Sequence, residues 1–176
     1  KILRKMGRMS SQKEIISLYN DIRDMIPEVA LRTTVMVGYP GEGEREFYEL
    51  LSFLQECPFE RLGVFPFSPE KGTRAYKHKH RVQTAIINQR INKLVEQQEV
   101  ISRKYNRYLL GKKTKVLVDS FHPERKNAYG RLASQAPEVD GKVVISGVTG
   151  VRPGDLLEVK ISGVGTYDLM GSISFR

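Results

Sequence analysis

Apolar residues recur at helical spacing in three stretches of the first hundred or so positions, and run together in two others. Ile15, Leu18, Tyr19, Ile22 and Ile26 form the first helical stripe. Ser11 stands before it with Glu14 three residues on, the spacing at which a hydroxyl and a carboxylate each accept a backbone N–H of the other's residue at a helix start. Pro27 predicts the end of that helix, because proline has no N–H and its ring collides with the preceding turn. Positions 29–37 (VALRTTVMV) are rich in β-branched residues and predict a buried strand. Gly38-Tyr39-Pro40-Gly41 breaks it. Phe47, Leu50, Leu51 and Leu54 mark a second helix with Pro58 beyond its end, and Cys57 reads as a buried helix-end residue. Positions 61–67 (RLGVFPF) predict a second strand, and Ser68-Pro69-Glu70-Lys71-Gly72-Thr73 a turn. A long helix is expected over about Val82 to Leu109, carried by Ile87, Ile91, Leu94, Ile101, Tyr105 and Tyr108, with Gly111 placed to cap it in the left-handed conformation.

Beyond Gly111 the period changes. Short β-type runs alternate with glycine turns at Lys115–Asp119, Ala128–Leu132, Val143–Ser146, Leu156–Ile161 and Tyr167–Phe175. Strands this short and this evenly spaced predict a small closed barrel. The expected organisation is therefore an α/β part over residues 1–110 and an all-β part over 111–176. Two parallel strands cannot cover themselves, since a parallel sheet needs helices on its faces and strands at both edges. The α/β part is expected to be one side of a larger sheet whose other strands lie upstream. The chain opens at Lys1 inside what already reads as an amphipathic pattern, which fits a piece of a longer protein.

Composition narrows the partners. The 176 residues are 40% hydrophobic and 28% charged, the profile of an ordinary soluble domain. No apolar run reaches the roughly 18 residues of a membrane span, and no signal peptide is visible. A net charge of +9 favours anionic partners, RNA first, although an ordinary basic surface accounts for it equally. Cys57 is the one cysteine. It excludes an intrachain disulfide and any three- or four-cysteine metal site within this chain, and points to the cytosol. His78, His80 and His122 have no metal-ligand spacing, and no metal ligand is assigned.

In α/β folds ligands bind at the carboxyl ends of strands. One such end is Val37-Gly38-Tyr39-Pro40-Gly41-Glu42, where a glycine would let a flat ring or a phosphate approach the backbone. Arg32 and Thr34 share one face of the preceding strand by alternation. Polar groups inside a buried strand need partners, so they are expected to meet each other, water or a ligand. A purely structural turn, with Glu42 favouring the next helix start, explains the same residues. The other end is Phe67-Ser68-Pro69, where the aromatic ring could flank an adenine or simply fill core.

These segments carry a resemblance. Arg32-Thr33-Thr34 leading into Val37-Gly38-Tyr39-Pro40-Gly41-Glu42, followed by positions 59–73 (FERLGVFPFSPEKGT) and preceded by Leu3-Arg4-Lys5-Met6-Gly7-Arg8, is similar to radical-SAM methylthiotransferases. The β part resembles that family's TRAM domain, a small OB-like five-stranded barrel. The resemblance implies the C-terminal part of a partial (β/α) barrel, with S-adenosylmethionine near Arg8, Arg32, Thr34, Val37, Gly38, Phe67 and Ser68. It implies two 4Fe-4S clusters in the full-length enzyme, held by cysteines this chain lacks, so no catalytic residue is assigned here and no cofactor is expected on this piece alone. Glu70, positions 136–141 (APEVDG) and 167–171 (YDLMG) resemble the branch that modifies an aspartate of a small-subunit ribosomal protein. The branch that modifies a tRNA adenosine, and a non-catalytic RNA-binding module, are the alternatives. Residues 112–176 hold ten Lys/Arg and seven Asp/Glu, so a basic ribosomal protein would need a local acidic face, for which Glu138, Asp140, Asp155 and Asp168 are the candidates. Lys112, Lys113 and Lys115 with Arg103, Lys104 and Arg107 would then turn elsewhere, toward ribosomal RNA. The missing N-terminal part of the same protein is the remaining partner, no membrane is expected, and the location implied is cytoplasmic.

Overall fold

The computed structural model describes residues 1–78 and 81–173; His80 and Phe175 lie outside them. A short helix α1 (Ile2–Lys5) precedes α2 (Gln12–Met25), β1 (Arg32–Val37), α3 (Glu44–Glu56), β2 (Arg61–Pro66) and α4 (Thr84–Leu109). The strands β3 (Lys113–His122), β4 (Asn127–Arg131), β5 (Val143–Ser146), β6 (Leu156–Val164) and β7 (Leu169–Ser172) follow. Two compact units result, Lys1–Gln98 and Glu99–Arg176, so the second half of α4 belongs with the strands that follow it.

In the first unit the capping box forms as its spacing implies. The Ser11 hydroxyl accepts the Glu14 N–H, and the Glu14 carboxylate accepts the Ser11 N–H at 2.6 Å. β1 and β2 are adjacent and parallel, with Thr34 opposite Gly63 and Met36 opposite Phe65. Tyr19 of α2, Phe47 and Leu54 of α3 and Leu94 of α4 pack on Val35 and Val37 in one core cluster. All three helices therefore cover the same face of the sheet, as right-handed crossovers require. Cys57 ends α3 fully buried, and that burial pushes its thiol pKa up.

β1 begins at Arg32, three residues later than the apolar run suggests. Side chains take the preceding backbone groups: Arg23 donates to the Val29 carbonyl at 2.7 Å, and the Leu31 N–H donates to Glu60 at 2.7 Å. Arg23 also pairs with Glu60 at 2.6 Å, so one half-buried network ties α2 to the start of both strands.

The second unit closes into a barrel in the order β3-β4-β5-β7-β6, all pairs antiparallel except β5 with β7. Val116, Val118, Ala128, Val143, Ile145, Val159, Ile161 and Leu169 alternate inward to form its core, and Leu109 of α4 packs on them. Gly111 takes the left-handed conformation at the end of α4 (φ 80°). β3 is longer than the β-rich run predicts because Lys113 and Thr114 pair with β6. β7 is shorter, since Tyr167 and Asp168 form the turn before it. Asn106 of α4, fully buried, donates to the Gly165 and Thr166 carbonyls at 3.2 and 3.0 Å and fixes that turn.

Candidate functional site

The helix-free face of the β1–β2 sheet is the first candidate. Alternation puts Arg32, Thr34 and Met36 on it, all exposed, with Gly63 and Phe65 beside them on β2. Met36 and Phe65 are 38% and 57% exposed. A hydroxyl, a guanidinium and two large apolar side chains thus form one amphipathic wall. Val37 is not on it: its side chain is fully buried among the helices, and only its backbone faces the strand end. Arg8 is exposed just after α1.

At the end of β1 the chain turns through Gly38, whose φ of 85° suits glycine. A Cβ built there would lie 2.5 Å from Cδ1 of Ile87 on α4. The glycine is thus required by backbone conformation and by helix packing, and the space it leaves is filled by protein. Its N–H donates at 3.0 Å to Glu42 Oε1, and Arg90 pairs with the same oxygen at 2.6 Å. Both side chains are more than nine-tenths buried. The Val37 carbonyl accepts the Phe67 N–H at 2.8 Å, which joins the two strand ends. Tyr39 packs edge-on to Phe67 and donates its hydroxyl proton to the Lys5 carbonyl at 3.0 Å. Ser68 is exposed and hydrogen-bonded to Glu70. Gly38, Phe67 and Ser68 are therefore held together, with Arg32 and Thr34 further back along β1. Arg90 was not anticipated. Its signal was a cation within the apolar stripe of Ile87, Ile91 and Leu94.

The second candidate is a groove of about 760 Å³ on the outside of the barrel. Glu138 and Asp140 rim it, together with Asp119, which pairs with Arg131. Glu138 holds a φ of 62°, unusual for a residue other than glycine. Tyr129 lies in the groove with His122 against its edge at 5.3 Å and the Lys142 ammonium 5.2 Å from its ring centre. Asp168 adjoins this region through the Lys142 N–H, which it accepts at 2.9 Å. Asp155 is not among the residues that line the groove; its main-chain carbonyl accepts the Val118 N–H at 2.8 Å, one residue from Asp119, and Asp168 precedes β7. Of the other aromatic candidates, Phe121 packs on the barrel core and Tyr167 is exposed. Among the described residues no cluster of three or more His, Cys, Asp or Glu could hold a metal ion, and no helix is long and apolar enough to cross a membrane.

Comparison with known proteins places this geometry. Residues 110–173 match the TRAM domain model. The chain is 40% identical over 173 residues, 98% of its length, to a ribosomal protein uS12 methylthiotransferase of Thermodesulfovibrio yellowstonii. It is 43% identical over 176 residues to one of Prosthecochloris aestuarii, and 44% identical over 170 residues to one of Syntrophobacter fumaroxidans. It spans about 40% of the length of these relatives. Along nearly its whole length the chain is thus similar to part of these ribosomal protein uS12 methylthiotransferases, and the strands that follow its parallel α/β pair match a TRAM domain.

Proposed function

We propose that the whole protein containing this chain adds a methylthio group to an aspartate of ribosomal protein uS12 in the cytoplasm, and that this chain supplies part of the S-adenosylmethionine wall and a substrate-docking barrel. The observation that carries this reading is the identity along nearly the whole chain to relatives bearing that name. The wall residues fit the cofactor's chemistry: Phe65, Met36 and Phe67 offer apolar surface to an adenine, the Thr34 hydroxyl can bond a ribose, and Arg32 or Arg8 can pair with a carboxylate. When bound next to its cluster, S-adenosylmethionine supplies the radical that activates the substrate carbon. This chain's residues bind and orient it. They do not fit an iron–sulfur cluster, because one cysteine cannot supply the several thiolates each cluster needs, so the ligands of both proposed clusters would come from outside this chain.

The test uses the full-length protein, reconstituted without oxygen and offered uS12 or tRNA. Mass spectrometry should find the methylthio group on a uS12 aspartate. Its appearance on tRNA adenosine instead would favour the other branch. The 176-residue chain alone should neither cleave S-adenosylmethionine nor gain iron absorbance.

On the barrel, Glu138, Asp140 and the nearby Asp168 suit a basic ribosomal protein. The groove itself favours a second reading, ribosomal RNA, because Tyr129 is flanked by Lys142, His122 and Arg131 and could stack a base. Charge reversal decides between them. Reversal of Glu138 and Asp140 should weaken uS12 capture more than reversal of Lys112 and Lys113; the opposite order makes RNA the partner.

A further inference from the structure

We propose that the buried Glu42–Arg90 pair is a positioning device for the S-adenosylmethionine site, fixing the orientation of the Val37–Gly38 peptide at the end of β1. The inference rests on the reading above and deepens it. The peptide is pinned from both edges: its carbonyl accepts the Phe67 N–H at 2.8 Å, and its N–H donates to Glu42 Oε1 at 3.0 Å. Glu42 is held in turn by Arg90, which donates to its carboxylate at 2.6 Å and to its own main-chain carbonyl at 3.3 Å. The guanidinium also lies 5.2 Å from the Phe47 ring centre. Ile87, one turn earlier on α4, fills the space beside Gly38.

Stability alone does not explain this arrangement. A buried ion pair can often be replaced by apolar side chains without loss, because desolvation cancels much of the attraction. An apolar pair cannot accept the buried Gly38 N–H, and a peptide that loses that acceptor is free to rotate. Rotation would release the Val37 carbonyl from Phe67 and separate the two strand ends where Gly38, Phe67 and Ser68 lie. Glu42 touches neither cofactor nor reacting atoms in this account. It acts through the turn, and Arg90 acts through Glu42.

Four variants of the full-length, anaerobically reconstituted protein separate the roles: Glu42→Ala, Glu42→Gln, Arg90→Met and the double variant Glu42→Leu with Arg90→Met. Binding of radiolabelled S-adenosylmethionine is measured by equilibrium dialysis, and amide exchange of residues 38–43 by mass spectrometry. The double variant keeps the core filled and is expected to fold, yet to bind the cofactor roughly tenfold more weakly and exchange faster in the turn, the scale on which lost supporting contacts weaken a site. Glu42→Ala should show the same pair of changes, and Arg90→Met a smaller version. Glu42→Gln, which retains an oxygen for the Gly38 N–H, should lie nearer the unaltered protein. If the folded double variant binds S-adenosylmethionine as tightly as the unaltered protein, the pair is packing only and the proposal is overturned. If the unaltered protein itself binds no S-adenosylmethionine, the cofactor reading fails first.

Discussion

Gly38 shows how one residue can be required by backbone conformation and packing together. Its φ of 85° and the Ile87 side chain 2.5 Å from a built Cβ both oppose a side chain. Gly72 has nearly the same φ, 88°, with nothing within 4 Å, and so isolates the backbone effect. Gly72→Ala should cost about 1 kcal/mol, and Gly38→Ala should cost more, about 2–3 kcal/mol, through strain plus the clash. Urea unfolding of the two variants checks the order; equal losses would show that Ile87 moves aside freely. Weakened cofactor binding in a Gly38 variant therefore reports on the turn's fold as well as on access. Glu46 makes a pH-dependent prediction at the same scale. Its hydrogen bond from Lys1, then the Gly43 N–H, hold its carboxyl down at about 2, from an ordinary 4.5. A depressed folded-state pKa contributes stability that is complete above the ordinary value and lost as pH falls toward the folded one. The urea midpoint of Glu46→Gln should therefore lie below that of the unaltered chain at pH 6, and the gap should close between about pH 4.5 and 2.

Helix ends and helix faces set the behaviour of the elements. At the start of α2, Ser11→Ala removes the acceptor for the Glu14 N–H and should cost about 1 kcal/mol. On α4, the buried Asn106 donates both amide hydrogens to the turn before β7. Asn106→Leu fills the space but leaves two carbonyls without that donor, and should cost about 1–3 kcal/mol. The chemical shifts of Gly165 to Asp168 should move, whereas those of α2 should not. A loss confined to global stability, with the turn unshifted, would mean that Asn106 does not hold it.

The two compact units divide within α4, at Gln98, while the TRAM match begins at residue 110, beside the glycine that ends the helix. Residues 99–109 give the barrel Leu109 for its core, Asn106 for its turn and Arg103, which donates to the Thr166 hydroxyl at 2.9 Å. A piece beginning at Glu99 should therefore unfold cooperatively and at a higher temperature than one beginning at Gly111, by calorimetry. Equal melting temperatures would move the working boundary back to the end of the helix. The first unit stands differently. Its two-stranded sheet leaves Met36 and Phe65 exposed on the helix-free face, the kind of apolar surface that is covered in a larger fold.

Much of this was written locally in the chain. The three long helices, both parallel strands and the five barrel strands follow from apolar period, proline stops and glycine turns, because those constraints act over a few residues. The alternation of β1 put Arg32 and Thr34 on one face, whereas Val37, expected beside the cofactor, turns its side chain into the helix-side core because it shares the opposite face with Val35. Strand boundaries were less legible, since Arg23 and Glu60 take the backbone groups of Val29 and Leu31 from elsewhere in the chain. Only the folded molecule decided that Glu42 meets Arg90, 48 positions away, that Gly38 makes room for Ile87, and that Glu138 and Asp140 share a groove with Asp119. Those outcomes depend on which helix crosses which strand end and how the barrel strands are staggered. No periodicity encodes them, because they are set by packing between segments distant in sequence.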